Sequence, residues 1–202
     1  MKKQKSAKMT DTFEAVVIGV SAGGLAALAK ILPQLEEDFP LPILIVQHMR
    51  PDSDGFLWRH LDNLCRLSVK EAEDKEAIRP GTVYIAPPDY HLLVEQDRTL
   101  TLSADERVNF SRPSIDVLFE TAAEVYQQRL IGVILTGANN DGTHGLQTIK
   151  SFSGLAVVQS PESAESDTMP RSAIESMVVD HIVPLDRLGQ FLNALAFGHS
   201  HG

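Results

Sequence analysis

Short apolar runs alternate along this chain with segments whose apolar residues recur at helical spacing. Residues 15–20 and 42–47 form two such runs. Between them, residues 25–32 have helical spacing, and Pro33 ends the pattern. A strand, a helix and a second strand in this order build a parallel pair with a right-handed crossover. The first fifty residues therefore predict the start of a parallel sheet.

The alternation of predicted strands and helices continues to the end of the chain. Residues 96–98 have the length of a tight turn, so the strands on either side form an antiparallel hairpin. Pro113 is predicted to open a helix with Ser111 as its cap. The pattern predicts a doubly wound α/β domain, with a mostly parallel sheet flanked by helices and a small antiparallel hairpin. The predicted strands are 82–86, 91–95, 99–102, 130–135 and 155–159, and the predicted helices are 55–64, 113–126, 142–151 and 184–197.

Three chemically useful side chains follow three of the predicted parallel strands. Ser21 follows the first strand in Gly19-Val20-Ser21-Ala22-Gly23, His48 ends the second, and Asp141 follows residues 130–135. Because ligands of such sheets bind beyond the carboxyl ends of the strands, we expect these side chains to meet. They are a nucleophile, a general base and an orienting carboxylate.

Each of the three also has a plainer interpretation. The glycines around Ser21 suit a dinucleotide phosphate, although a serine stands where that fingerprint has its middle glycine. No acidic residue ends the second strand to hold a ribose. His48 is also compatible with a structural role, and Asp141 with capping the helix that follows it. These alternatives stay open on the residues alone.

The remaining histidines carry less information. His60 is predicted on a helix surface, and His91 is predicted to be structural, although it could line the cleft. His144 lies one helical turn after Asp141 and is expected to face the same region. No His-Glu-x-x-His or His-x-x-Glu-His spacing is present, which disfavours a zinc hydrolase. We expect no metal site.

Composition narrows the class of protein. The net charge of −9 over 202 residues disfavours a nucleic-acid binder. No apolar run reaches the roughly 20 residues of a membrane span. The single cysteine, Cys65, excludes an internal disulfide, and together these features fit a cytoplasmic protein without membrane insertion. We expect a basic, disordered leader over residues 1–12, one domain over 13–197 and a frayed tail over 198–202. The oligomeric state is not indicated.

The chain resembles the catalytic domain of the chemotaxis protein-glutamate methylesterases, the CheB family. Six sequence blocks, in the family's order, carry the resemblance from about Phe13 to about Leu195. The blocks are VIGVSAGG at 17–24, VQHM at 46–49, GTVYIAPPDYH at 81–91, RPSIDVLF at 112–119, LTGANNDG at 135–142 and MPRSAI at 169–174.

The resemblance implies that Ser21, His48 and Asp141 form a triad that hydrolyses glutamate γ-methyl esters on chemoreceptor helices, in some members with glutamine deamidation. It implies a methylated receptor as partner and no cofactor. Oxyanion or substrate contacts are expected at four further positions, Ala22, Ala138, Met169 and Arg171. The chain order serine, histidine, aspartate disfavours an ordinary α/β-hydrolase.

Two departures from the family pattern matter. Ala138 stands where the family usually has methionine, which raises the question of whether this loop keeps its oxyanion site. About a dozen residues precede the first strand, so we expect no phosphoacceptor receiver domain and no phospho-switching in cis. The alternative to an enzyme is a non-catalytic module that binds a receptor or another signalling protein. The alternative to a substrate contact at Arg171 is a surface salt bridge.

Overall fold

A seven-stranded parallel sheet forms the centre of the molecule. The structure is a computed structural model and describes residues 13–50 and 52–198. All neighbouring strands of the large sheet pair in parallel, and a separate antiparallel pair lies beside it. In spatial order the large sheet reads β3-β4-β2-β1-β7-β8-β9. Its strands are β1 (Ala15–Val20), β2 (Ile43–Gln47), β3 (Ser68–Glu71), β4 (Thr82–Ile85), β7 (Leu130–Ile134), β8 (Leu155–Gln159) and β9 (His181–Val183), and the hairpin comprises β5 (His91–Val94) and β6 (Leu100–Ser103).

Helices cover both faces of the sheet. Successive residues of β1 alternate between the two cores, with Val16 and Ile18 in one and Ala15 and Val17 in the other. Burial on both faces explains why the central strands read as continuous apolar runs. One face carries α1 (Gly24–Ile31), α2 (Phe56–Leu64) and α6 (Leu188–Ala196), and the other carries α3 (Ile115–Tyr126), α4 (Thr143–Ser151), α5 (Thr168–Ser176) and the hairpin.

The order of the strands sets where a site can form. From β1 the chain moves outward through β2 and then crosses to β7 on the other side of β1. The carboxyl ends of β1, β2 and β7 therefore face the point where the strand order reverses, which is the usual ligand crevice of this architecture. Ser21, His48 and Asp141 follow these three strands.

The predicted fold class is confirmed, and so is the hairpin, whereas two helix starts are wrong. The helix expected over residues 184–197 begins as a short 3-10 helix at Leu185 and continues as α6 only from Leu188. The helix expected to open at Pro113 with Ser111 as its cap begins at Ile115, with Ser114 in the cap position. The N–H groups of Ile115 and Asp116 bond to the carboxylate of Asp141, which is remote in sequence. That partner replaces the local cap that the sequence suggested.

The predicted leader (residues 1–12) and residues 199–202 of the predicted tail lie outside the described residues. Within the part of the chain that the structure describes, no helix is both long enough and apolar enough to cross a membrane.

Candidate active site

Ser21 lies at the turn between β1 and α1. Its backbone N–H donates to the Thr136 carbonyl at 3.0 Å, and its own carbonyl accepts from the Gly24 N–H at 3.0 Å. Gly23 holds a left-handed backbone with φ of 77°, which glycine adopts without the steric cost that a side chain brings. This turn ends the buried strand and leaves the serine hydroxyl at the edge of the sheet.

His48 connects Ser21 to Asp141. Its Nδ1 lies 3.1 Å from Ser21 Oγ, and its Nε2 lies 2.8 Å from Asp141 Oδ2. An ionised carboxylate only accepts hydrogen bonds, so Nε2 carries the ring proton and Nδ1 is free to accept the serine proton. The predicted convergence of the three side chains is therefore present in the structure.

Asp141 is a buried carboxylate with an unusually complete set of hydrogen-bond donors. It is 1% exposed. Besides His48, it accepts from the N–H groups of Ile115 at 2.7 Å and Asp116 at 3.2 Å, and from Ser114 Oγ at 2.9 Å. The alternative that Asp141 caps the following helix is wrong, because these bonds cap the start of α3 instead. The donors fix the carboxylate that orients His48.

The surroundings of Asp141 keep it ionised. Burial by itself raises the pKa of Asp141, but the hydrogen bonds from His48, the Ile115 N–H and Asn109 outweigh burial and hold the pKa below its ordinary value. Nearby Asp116 behaves in the opposite way. Burial raises the pKa of Asp116, and the negative charge of Asp141 adds to the effect. The pKa values of these two neighbouring carboxyl groups are thus shifted in opposite directions.

The loop that carries Ala138 is held by backbone contacts on both sides of that residue. Gly137 donates its N–H to the Ser166 carbonyl at 2.9 Å and accepts from the Met169 N–H at 3.0 Å. Thr136 Oγ1 donates to the Ala22 carbonyl at 2.8 Å. None of these bonds involves the side chain at position 138. An alanine in place of the family's methionine therefore leaves the anchors of the loop intact.

Backbone N–H groups without a partner are available at this edge of the sheet. Those of Ala22 and Ala138 make no hydrogen bond to any residue that the structure describes. Both residues are exposed, and Ala22 is the immediate neighbour of Ser21. Unpaired N–H groups beside a nucleophile are the donors that an oxyanion requires.

Four polar residues of the site were missed from sequence. Gln47 Nε2 donates to the carbonyls of Ser21 and His48, at 2.9 Å each, and so joins the two strand ends. Asn139 Nδ2 lies 3.3 Å from His48 Nδ1. Asn109 and Ser114 donate to Asp141. Gln47, Ser114 and Asn139 lie within the sequence blocks that resemble the family, whereas Asn109 lies outside them.

The other predicted residues fall into different places. Met169 is buried, and its sulfur packs against Gly137, so it supports the loop from beneath. Arg171 Nε donates to Asp167 Oδ2 at 2.6 Å on the exposed side of α5, which matches the salt-bridge alternative. His91 is buried and structural, bonded to the Ser114 N–H and the Glu106 carbonyl. His144 was expected to face the region of Asp141. Its Nδ1 instead pairs with Glu120 Oε1 of α3 at 2.7 Å.

Two cavities border the triad. One of about 510 Å³ lies between the starts of α1 and α2, is lined largely by apolar atoms, and includes Ser21 and Met49. A smaller one of about 110 Å³ lies on the side of His48 and includes Arg107 and Phe110. The nucleophile and the base thus face open space on either side, which a substrate needs in order to reach both.

Comparison with known proteins identifies the family. The model of the CheB methylesterase family matches residues 16–192, which span all three triad positions. The chain belongs to the CheB methylesterase family. A CheB relative from Leptospira interrogans, provisionally named a protein-glutamate methylesterase/protein-glutamine glutaminase, is 59% identical over 178 residues, or 88% of this chain and 92% of the relative.

More distant relatives support the same family assignment. A Thermotoga maritima protein-glutamate methylesterase/protein-glutamine glutaminase is 38% identical over 94% of this chain and 58% of its own length. The crystal structure of the Thermotoga maritima CheB methylesterase catalytic domain superposes with a TM-score of 0.87 and covers 91% of this chain and 99% of that domain. The fold that the resemblance implied is therefore confirmed, because the chain has the fold of the CheB catalytic domain.

Proposed function

We propose that this chain is a serine hydrolase that removes methyl esters from glutamate side chains of chemoreceptors. The observation that carries the proposal is the chain of hydrogen bonds from Ser21 Oγ through His48 to Asp141, at 3.1 and 2.8 Å. It is supported by the names of the relatives, which are protein-glutamate methylesterases. Ester hydrolysis by such a triad needs no metal and no organic cofactor.

In the first half-reaction, Ser21 Oγ attacks the carbonyl carbon of the γ-methyl ester and gives its proton to His48 Nδ1. Asp141 stabilises the imidazolium through Nε2. The N–H groups of Ala22 and Ala138 hold the oxyanion, and such donors act most strongly because they are already in place. The tetrahedral intermediate expels methoxide, which leaves as methanol with the proton from His48, and an acyl-enzyme remains on Ser21.

In the second half-reaction, water takes the place of methanol. His48 Nδ1 accepts a proton from the water, whose oxygen attacks the acyl carbon. Collapse of the second tetrahedral intermediate breaks the bond to Ser21 Oγ, and the proton returns to the serine. The products are a glutamate side chain and free Ser21. An amide nitrogen in place of the methoxy oxygen gives ammonia by the same path, so glutamine deamidation is the second activity, as the relatives' names also suggest.

The finer assignments follow from this function. Residues 13–197 constitute the methylesterase domain, Met169 supports the oxyanion loop, and the partner is a methylated receptor. Methylated segments of chemoreceptors are acted on inside the cell, so the chain works in the cytoplasm. The exposed pair that Arg171 forms with Asp167 favours the plainer role of a surface salt bridge for this residue.

A fluorophosphonate probe separates this function from that of a non-catalytic binding module. The probe forms a bond from phosphorus to an activated serine oxygen and releases fluoride, so it requires the base as well as the hydroxyl. We expect mass spectrometry to find the label on Ser21, and His48→Ala to slow labelling at least 100-fold. Ser53→Ala is the matched control, because Ser53 lines the same cavity and should not affect labelling. Absence of label on Ser21 would favour the binding module.

A further inference from the structure

One loop beside the triad holds an aromatic side chain almost wholly in solvent. Residues 104–112, here called the rim loop, connect β6 to the segment before α3. Phe110 of this loop is 95% exposed, the highest value among the exposed large apolar side chains of the described residues. The same residue lines the smaller cavity together with His48. An exposed aromatic ring therefore stands at the entrance to the general base.

The exposure of Phe110 is not the result of a loosely held loop. Arg112 donates to the carbonyls of Ala104 at 2.7 Å and Asp105 at 2.9 Å, and pairs with Asp89 at 2.8 Å. Buried His91 bonds to the Glu106 carbonyl at 3.0 Å. These contacts fix the first half of the rim loop to the body of the domain.

The tip of the rim loop is a tight turn with an unfavourable backbone. Val108 and Ser111 exchange two backbone hydrogen bonds, of 3.1 and 2.8 Å. The two residues between them, Asn109 and Phe110, have φ of 51° and 62°. Asparagine tolerates this left-handed region, but a phenylalanine rarely adopts it, and non-glycine residues held there cluster at functional sites.

Asn109 attaches this tip to the triad itself. Its Nδ2 donates to Asp116 Oδ2 at 2.7 Å and to Asp141 Oδ1 at 3.2 Å. Asp116 Oδ1 in turn accepts the N–H of Gly145 in α4 at 2.7 Å. The amide therefore bridges two carboxylates and ties the turn that presents Phe110 to the residue that orients His48.

We propose that the rim loop is the substrate-docking element of this active site, in which Phe110 packs on the protein segment that carries the ester and Asn109 is a positioning residue for Asp141. The inference rests on the proposed function. The occupant is the substrate polypeptide, because the ring is continuous with the cavity beside His48. Arg107, which is half-exposed and 3.9 Å from Asp89, adds a positive charge that suits a glutamate-rich segment.

If Phe110 docks the substrate and Asn109 positions Asp141, substitution of Phe110 should change KM and substitution of Asn109 should change kcat. The probes are p-nitrophenyl acetate, which carries no polypeptide segment that could pack on Phe110, and a synthetic helical peptide with one glutamate γ-methyl ester. Phe110→Ala is expected to raise KM for the peptide about tenfold, the typical loss for a buried aromatic anchor, with kcat and p-nitrophenyl acetate turnover unchanged. Phe110→Tyr should restore KM. Val178→Ala is the matched control, because Val178 is 87% exposed and lines neither of the two cavities beside the triad.

Asn109→Gly keeps a residue that accepts the left-handed backbone and removes only the amide. It is expected to lower kcat about tenfold for both esters, the lower end of what orientation of a catalytic group contributes, with KM for the peptide within twofold. Unchanged peptide KM in Phe110→Ala would overturn the docking role. Unchanged kcat in Asn109→Gly would overturn the positioning role.

Binding measured without chemistry separates this inference from the proposed function. Peptide affinity is measured by fluorescence anisotropy in a Ser21→Ala background, with and without Phe110→Ala. If the peptide binds through Phe110 but wild type releases no methanol from it, the proposed reaction fails and the docking role stands. If it binds equally with and without Phe110, or does not bind at all, the docking role is overturned.

Discussion

Asp141 shows at the scale of a residue how one side chain serves both fold and chemistry. It caps the start of α3 and orients His48 with the same two oxygens. Its donors keep it ionised although it is buried, which a carboxylate that must stabilise an imidazolium requires. The same contacts explain why the geometry of the triad depends on α3, an element that contributes no triad residue.

Ala138 gives a prediction at this scale. Its N–H has no partner among the described residues, and the loop is anchored at Gly137 instead. Ala138→Met should therefore leave kcat for p-nitrophenyl acetate within about threefold of wild type, since no oxyanion donor is lost. Ala138→Pro removes the N–H and should lower kcat by about 10² to 10³. Equal turnover by the two variants would exclude an oxyanion role for Ala138, with thermal unfolding as the check that both fold.

The three triad residues could be found from the sequence because each follows a short apolar run that predicts a buried strand. Asn109 and Ser114 could not be found in the same way. They reach Asp141 from a loop and from a helix cap, and neither position has a periodicity that indicates direction. The error at Ser111 has the same origin, since a remote carboxylate took the place of the local cap.

At the scale of elements, β1 and α3 pack so closely that a single added methyl group should disturb their contact. A methyl group added at Gly19 would overlap Cγ2 of Ile115, the first residue of α3. Gly19→Ala should therefore lower the free energy of unfolding by about 1–3 kcal/mol, the usual cost of overpacking, and should also lower kcat by displacing the α3 cap from Asp141. Urea denaturation and p-nitrophenyl acetate turnover measure the two effects.

Gly189→Ala is the matched control for that prediction. Its added methyl group would meet Gln34 and the Ile31 carbonyl, on the face of the sheet opposite to α3. Gly189→Ala should lower the free energy of unfolding by a similar amount and leave kcat unchanged. A loss of kcat in both variants would mean that activity follows stability and not the position of α3.

The elements that the pattern missed are those with the least apolar periodicity. β3 reads Ser-Val-Lys-Glu and is an edge strand with one apolar residue, and β9, at the other edge, has three residues. Edge strands are short and polar because one side is unpaired, so they lack the signal of the central strands. α5 has a proline in its first turn and follows a short loop, which hid its helical pattern.

At the scale of the whole molecule, Asp116 and Asp141 make opposite contributions to the dependence of stability on pH. Burial raises the pKa of Asp116, so the native state binds its proton more tightly than the unfolded chain does. That contribution is fully present below the unfolded pKa of about 3.9 and is lost as pH rises through the folded pKa. Asp116→Asn removes it, so the free energy of unfolding of the variant should gain on wild type as pH rises above about 4.

Asp141→Asn should behave in the opposite way. Although burial alone would raise it, the pKa of Asp141 is lowered by its hydrogen bonds, so its contribution is present above the unfolded pKa and is lost as pH falls through the folded pKa. The variant should therefore lose stability relative to wild type as pH rises toward about 4, the ordinary pKa of an aspartate. Urea denaturation at a series of pH values from acid to neutral measures both slopes. Slopes of the same sign would contradict the assignment of the two carboxyl groups.

Release of methanol from a methylated receptor helix is the direct test of whether Ser21 hydrolyses glutamate γ-methyl esters. Methanol is measured with an alcohol oxidase assay, and the new carboxylate is located by mass spectrometry of the receptor peptide. Wild type should release one methanol for each glutamate formed, and Ser21→Ala should slow release by about 10³-fold or more. Release by Ser21→Ala at the wild-type rate, or none by wild type, would contradict the account.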